Sequence, residues 1–441
     1  MPELTALRPL RTESNFSARV GLGLCAIGVA VLSVGGAALT WDGSSFVQRM
    51  VHRGMFLTPG HRFADYLWEA PTWMVFQLSS SANAAEWVFR VSTALLPFIA
   101  LSLSYWMVRR DRPDLFVWAV LGICGACLPG QWFVVAEGII AVQFAWPLYL
   151  AIAVGITGRR TVAVAALIPF IFFQHPFAAP ILVSAGVVLL VGHWQELLPR
   201  TPAWIAWTAI LLAAGAIRPA IRTSNDQDAL SLGWFKFATE TSLKWIPLIA
   251  LAALFAVGVA LARGSQRYWL IVSLVLLSGA GMSIWAADPS RWGAAINYRL
   301  PVLFVTAPFV LLMFVCATRG ETGAERTRAL VIVGVGLMFV TTLSIQAVTW
   351  SNLMAEVESA TSSGPVCRTT AEVDRGRLTA LENWGTSYLA IIQQGPRPRR
   401  LILHSEKACA QFETSGVVHL RPWDPTYREP PGYYTYRFIP R

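Results

Sequence analysis

Long apolar runs separated by short polar islands dominate the chain, and their lengths predict helices rather than strands. A helix needs about 20 apolar residues to cross the hydrocarbon core of a bilayer, so about eleven spans are expected. They fall at 20–40, 91–108, 115–128, 138–156, 161–173, 177–191, 203–217, 246–261, 268–285, 300–316 and 329–348. The third, fifth, sixth and seventh are short for a crossing.

The polar islands alternate in character. Arg8, Arg11 and Arg19 precede the first span, Arg109, Arg110 and Arg112 follow the second, and Arg159 and Arg160 follow the fourth. Arg200, then Arg263 and Arg267, then Arg319, Arg326 and Arg328 follow at alternate connections. Short connections rich in Arg belong in the cytoplasm, so the N-terminus is expected inside and the C-terminus outside. A cleaved signal peptide is the competing reading of the first segment. Its apolar run is too long for a typical signal core, and Asp42 follows it directly.

Composition agrees. Of 441 residues 55% are hydrophobic and 14% charged, and the mean hydropathy is +0.51, so much of the surface must meet lipid rather than water. The formal net charge of +10 raises the question of nucleic acid, but the basic residues sit beside apolar runs and not in a patch. A membrane accounts for them and nucleic acid is excluded as a partner. Cys25, Cys124, Cys127 and Cys316 fall in expected spans. Cys367 and Cys409 fall in the tail, where an oxidising periplasm would allow them to pair.

The expected fold is therefore mainly α, a polytopic bundle over 1–349 followed by a small periplasmic α/β domain over 350–441. Two outer loops, 41–90 and 218–245, are too long to be simple turns. The first contains amphipathic stretches at 44–55 and 64–78 whose aromatic residues suit helices lying on the membrane surface. In the tail, helices are expected at 371–382 and 388–393, strands at 401–404, 417–421 and 433–438, and a short helix ending near Gly416. Arg397, Arg399 and Arg400 are either a solvated edge or a phosphate site.

Asp42 is the most suggestive acid, placed at the outer boundary of the first span. A carboxylate there would accept the proton of an attacking hydroxyl or contact a divalent metal, or it would cap the following helix. Arg49, His52 and Arg53 share one helical face, and His61 and Arg62 follow in the same loop. Guanidinium groups bind phosphate with two parallel bonds and neutralise a departing lipid phosphate. Anchoring to anionic headgroups is the alternative. Glu137 lies near the interior of an apolar stretch, where ionisable groups are costly, or in an outer turn if the third span is short. His175 falls at an outer helix end, and Arg291 and Arg299 flank Trp292 and Tyr298 at a span entrance as candidates for a phosphate.

A first span ending in an acid, a long outer loop with surface helices, many spans and a periplasmic terminal domain together resemble the GT-C type glycosyltransferases. The resemblance implies a polyprenyl-phosphate-linked sugar donor, a glycan or lipid acceptor, a bacterial inner membrane, and Asp42 as base or metal contact. The paired acidic signature that many members carry in that loop is absent here, and the cofactor stays unassigned, with a divalent metal the candidate. A transporter, an envelope polysaccharide polymerase or ligase, and a noncatalytic membrane subunit are the alternative readings. The near absence of charge within the spans weighs against ion-coupled transport.

Overall fold

The computed structural model describes residues 8–39, 42–54, 62–124, 137–175, 178–199, 202–221, 309–310, 313–318, 325–374, 383–394, 400–403, 405–415, 417–419 and 435–437. The spans expected at 246–261 and 268–285 lie outside these residues, and so does the second outer loop beyond residue 221.

The protein is mainly helical. Among the described residues three helices are long and apolar enough to cross a membrane: α1 (Arg8–Gly35) over its stretch Phe16–Gly35, α4 (Ala82–Val108), and α10 (Glu325–Ser362). Between them lie α2 (Asp42–Arg53) and α3 (Asp65–Ser79), then the shorter α5 (Phe116–Cys124), α6 (Glu137–Val154), α7 (Arg159–Phe172), α8 (Ala178–Trp194) and α9 (Trp204–Ile217). Pro147 and Pro169 sit inside unbroken helices, and Pro180 lies in the first turn of α8, where a missing N–H costs nothing.

The first and last of the long helices are partners. Gly21, Gly28 and Gly35 recur every seventh residue on α1, and their partners on α10 are Ile332, Phe339 with Leu343, and Ala347. Numbering rises together on both helices, so they run parallel. A Cβ on Gly21 would stand 2.7 Å from Ile332, and one on Gly28 would stand 2.7 Å from Phe339. Bare backbone at these positions lets the axes approach closely, which substitutes for the hydrophobic drive that lipid removes. From the opposite side Gly336 of α10 accepts Leu24. One polar link inside the bundle joins the Tyr149 hydroxyl of α6 to the Ser184 hydroxyl of α8 at 2.7 Å.

The two ends of this bundle differ. At one end the connections are short, and Arg160 ties them together by donating to the Met107 carbonyl and pairing with Asp111. At the other end lie α2, α3 and the tail.

The tail begins without a break at 349–350, because α10 continues to Ser362. It then folds as β1 (Cys367–Thr369), α11 (Thr370–Asp374), α12 (Asn383–Gln393), β2 (Leu401–Leu403), α13 (Glu406–Ser415), β3 (Val417–His419) and β4 (Thr435–Arg437). β1 pairs in parallel with β2, Cys367 opposite Leu401, while β3 and β4 pair antiparallel. Thr369 and Glu372 exchange side-chain bonds with each other's backbone N–H, which closes the first turn of α11. Cys367 and Cys409 are joined by a disulfide, with Cα atoms 5.6 Å apart.

Arg400 caps α10. Its guanidinium donates to the carbonyls of Thr361, Ser362 and Gly364, where a cation meets the negative end of the helix. That is a structural role for one member of the basic cluster; Arg397 and Arg399 lie outside the described residues. α12 has two working faces. Tyr388 and Ile391 enter the small core of the tail, while Leu389, Ala390 and Ile392 enter the main core.

Candidate functional site

α3 is built inside out. Asp65, Glu69 and Thr72 follow one another at helical spacing, and with Trp68 they form its fully buried side. Its outward side carries Tyr66, Leu67, Met74 and Leu78, with Leu67 68% and Leu78 86% exposed. A surface helix in water shows the reverse pattern. The pattern suits an outer side that meets an apolar medium and an inner side that is polar, since a buried carboxylate is tolerated only where it is paired or hydrogen-bonded.

Three elements hold that polar side in place. Trp68 is clamped between Phe46 of α2, at 5.6 Å between ring centroids, and Phe89 of α4, at 5.9 Å. At the start of α3 the turn after α7 docks: the Ala64 N–H donates to the Phe173 carbonyl, and Phe63 meets the Phe173 ring edge-on at 5.5 Å. Gln174 in that turn donates from Nε2 to Asp65 Oδ1 at 2.7 Å, and His175 beside it is buried. A carboxylate is thereby fixed to a side chain more than a hundred positions away.

α2 brings the cation. Arg49, only 3% exposed, lies one turn along α2 from Phe46 and therefore at the level of the α3 clamp. The expectation that the stretch 44–55 lies on the membrane surface is corrected here. Every side of α2 from Gly43 to Val51 is buried, because α12 of the tail covers it while α3 and α4 support it from beneath. Small residues Ser44 and Ser45, both buried, permit that close cover.

A charged pair stands on α4, within one turn of the Phe89 that holds Trp68. Glu86 and Arg90, one turn apart near the start of α4, form a buried ion pair. Arg90 also lies 4.9 Å from the Trp87 ring centroid and 3.7 Å from Met354 Sδ of α10. Gly36 passes close by with φ +70, and a Cβ there would stand 2.6 Å from that sulfur and 3.1 Å from the guanidinium carbon. Arg218, 1% exposed at the end of α9, has its guanidinium 5.9 Å from the Phe172 ring and donates to the Ile221 carbonyl. Helices α3, α7 and α9 thus deliver their polar residues to the same end as α2.

Of the residues expected from sequence, the structure brings Arg49, Arg62 and His175 to this end. The backbones of Asp42, His52 and Arg53 belong to α2, with Asp42 at its first position, and Glu137 opens α6. The side chains of those four, and all of His61, Arg291 and Arg299, lie outside the described residues. Asp65, Glu69, Gln174 and Arg218 are not among the residues expected from sequence. The 65, 69, 72 spacing of polar residues against an apolar opposite face is the signal that points to the first two.

Among the described residues no group of three or more His, Cys, Asp and Glu gathers as a metal would require. This end of the bundle instead carries two buried carboxylates one turn apart and the guanidinium groups of Arg49, Arg62 and Arg218. Carboxylates exchange protons and guanidinium groups pair with anions such as phosphate. Comparison with protein-family models, with curated proteins and with solved structures gives no match. What fold and site define is a mainly helical protein with membrane-length apolar helices and a buried polar layer at one end.

Proposed function

We propose that the chain is a multi-pass enzyme of the bacterial inner membrane that moves a sugar from a polyprenyl-phosphate donor to a glycan or lipid acceptor at the periplasmic face. On this reading about eleven helices span the membrane, the N-terminus lies inside, and the end bearing α2, α3 and the tail lies outside. The inverted α3 carries the proposal. Its lipid-facing side suits the prenyl chain of a donor, while its polar side keeps Asp65 and Glu69 out of lipid.

The chemistry needs a base for the acceptor hydroxyl and a counter-charge for the released lipid phosphate. Asp42, Asp65 and Glu69 are the carboxylates assigned to the first task, and Arg49, Arg62 and Arg218 are the cations assigned to the second. Gln174 orients Asp65 through its amide. No step is assigned to a metal.

The test is transfer in membranes supplied with radiolabelled polyprenyl-phosphate hexoses and pentoses. Asp42→Asn and Asp65→Asn should each lower transfer by about 100-fold or more while leaving expression intact, the scale of a lost general base. Wild-type transfer in both variants overturns the assignment. Reporters fused after Val108 and after Met354 should lie on opposite sides of the membrane.

A further inference from the structure

The opposite end of the bundle carries arginines that folding does not explain. Residues 109–115, between α4 and α5, and residues 155–160, between α6 and α7, are joined by Arg160. It donates to the carbonyls of Met107 at 2.9 Å and Gly155 at 3.4 Å and pairs with Asp111. Arg112 grips both oxygens of Asp114 and donates to the Ala317 carbonyl at 3.1 Å. Both acids of this corner are therefore taken.

Arg109, Arg110 and Arg159 remain. All three are exposed, and none of their side chains has an ion pair or hydrogen bond among the described residues. Five arginines against two aspartates leave the joined loops a net charge of +3. Arg159 also opens α7, whose first turn contains no acid, and a cation is unfavourable at that end of a helix. Stability of α7 therefore does not account for it.

Depth is set by α4. This membrane-length helix ends at Val108, one residue before Arg109, and Tyr105 and Trp106 in its last turn are half-buried aromatic residues of the kind found at the lipid–water boundary. The three guanidinium groups hence stand at headgroup level, and basic pockets between helices at that level take anionic lipid headgroups.

We propose that the loops 109–115 and 155–160 form a binding site for the headgroup of an anionic phospholipid, with Arg109, Arg110 and Arg159 as its ligands and Arg160 as the brace that holds the two loops together. Guanidinium forks match the phosphodiester oxygens. The site is independent of the transferase reading and stands or falls separately.

The experiment is native mass spectrometry of the full chain in detergent with added phosphatidylglycerol or phosphatidylcholine. Wild-type protein should retain phosphatidylglycerol in preference, and molar salt should remove the preference. The triple variant Arg109→Gln, Arg110→Gln, Arg159→Gln should lose roughly 100-fold of its affinity for phosphatidylglycerol, whereas the triple Lys variant should keep most of it. Equal retention of both lipids by wild type overturns the proposal without reference to any variant. So does undiminished preference in the Gln variant. Inorganic phosphate or glycerophosphate displacing the lipid at equal concentration would make this a site for soluble phosphate and would also overturn it.

Discussion

Replacing Cys367 and Cys409 together by serine removes the one covalent link between β1 and α13. The bond closes a loop of 42 residues, and the chain-entropy relation gives about 4 kcal/mol for a loop of that size. The figure is large for this part of the protein. Among the described residues the tail core around the bond rests on Tyr388, Ile391, Leu401, Leu403, Ala408 and Phe412. At tenfold per 1.4 kcal/mol, the fraction of molecules with an opened tail should rise by close to a thousandfold. Because α12 belongs to both cores, opening should also uncover α2. The assay is limited proteolysis of purified protein, with fragments mapped over time. Cleavage should begin after residue 362 and then extend to α2, and a reductant added to wild type should reproduce it. Tail cleavage within tenfold of wild type in the serine variant would refute the reasoning, as would maleimide labelling of both cysteines in unreduced protein.

Three further substitutions probe the bundle. Gly28→Leu forces a side chain against Phe339 and Leu343 and should cost about 1–3 kcal/mol, read as a lower melting temperature in detergent, while Gly23→Leu, with open space around it, should leave that temperature within a degree or two. Gln174→Leu strips the Asp65 carboxylate of its amide donor and should cost about 1.5–3 kcal/mol; an unchanged melting temperature would show that the bond contributes nothing. Tyr149→Phe removes the hydroxyl that meets both the Ser184 hydroxyl and the Ile181 carbonyl of α8 and, at about 0.6 kcal/mol for each bond between membrane helices, should cost roughly 1 kcal/mol, so a loss several times larger would give Tyr149 another role.

Hydropathy alone makes the cores of α1, α4 and α10 legible, because lipid demands long apolar runs whatever the tertiary contacts. Their ends are another matter. α4 starts at Ala82, ahead of the expected 91, since Glu86 and Arg90 interrupt the apolar run yet satisfy each other within the helix. α10 runs to Ser362 through Glu356 and Glu358, which a hydropathy sum reads as the end of a span. β1 has three residues, too few to show a period. In the site, Arg49 could be named because it shares one helical face with His52 and Arg53, a spacing visible in the sequence. Asp65 and Glu69 stayed hidden because averaging over α3 cancels its two faces. Gln174 could not be read at all, since its meaning lies in a contact 109 positions away.

The parallel seam of α1 and α10 has a consequence for biogenesis. Ile332, the partner of Gly21, is synthesised roughly 310 residues after it, which at about 5–20 residues per second is a delay on the order of 15–60 s. Throughout that interval the glycine stripe of α1 has no mate, and any other helix with a smooth face is a rival for it. A nascent chain interrupted before α10 therefore presents an unfilled seam that quality-control proteases can recognise. The last described long helix is thus also the step that commits the first one to its place.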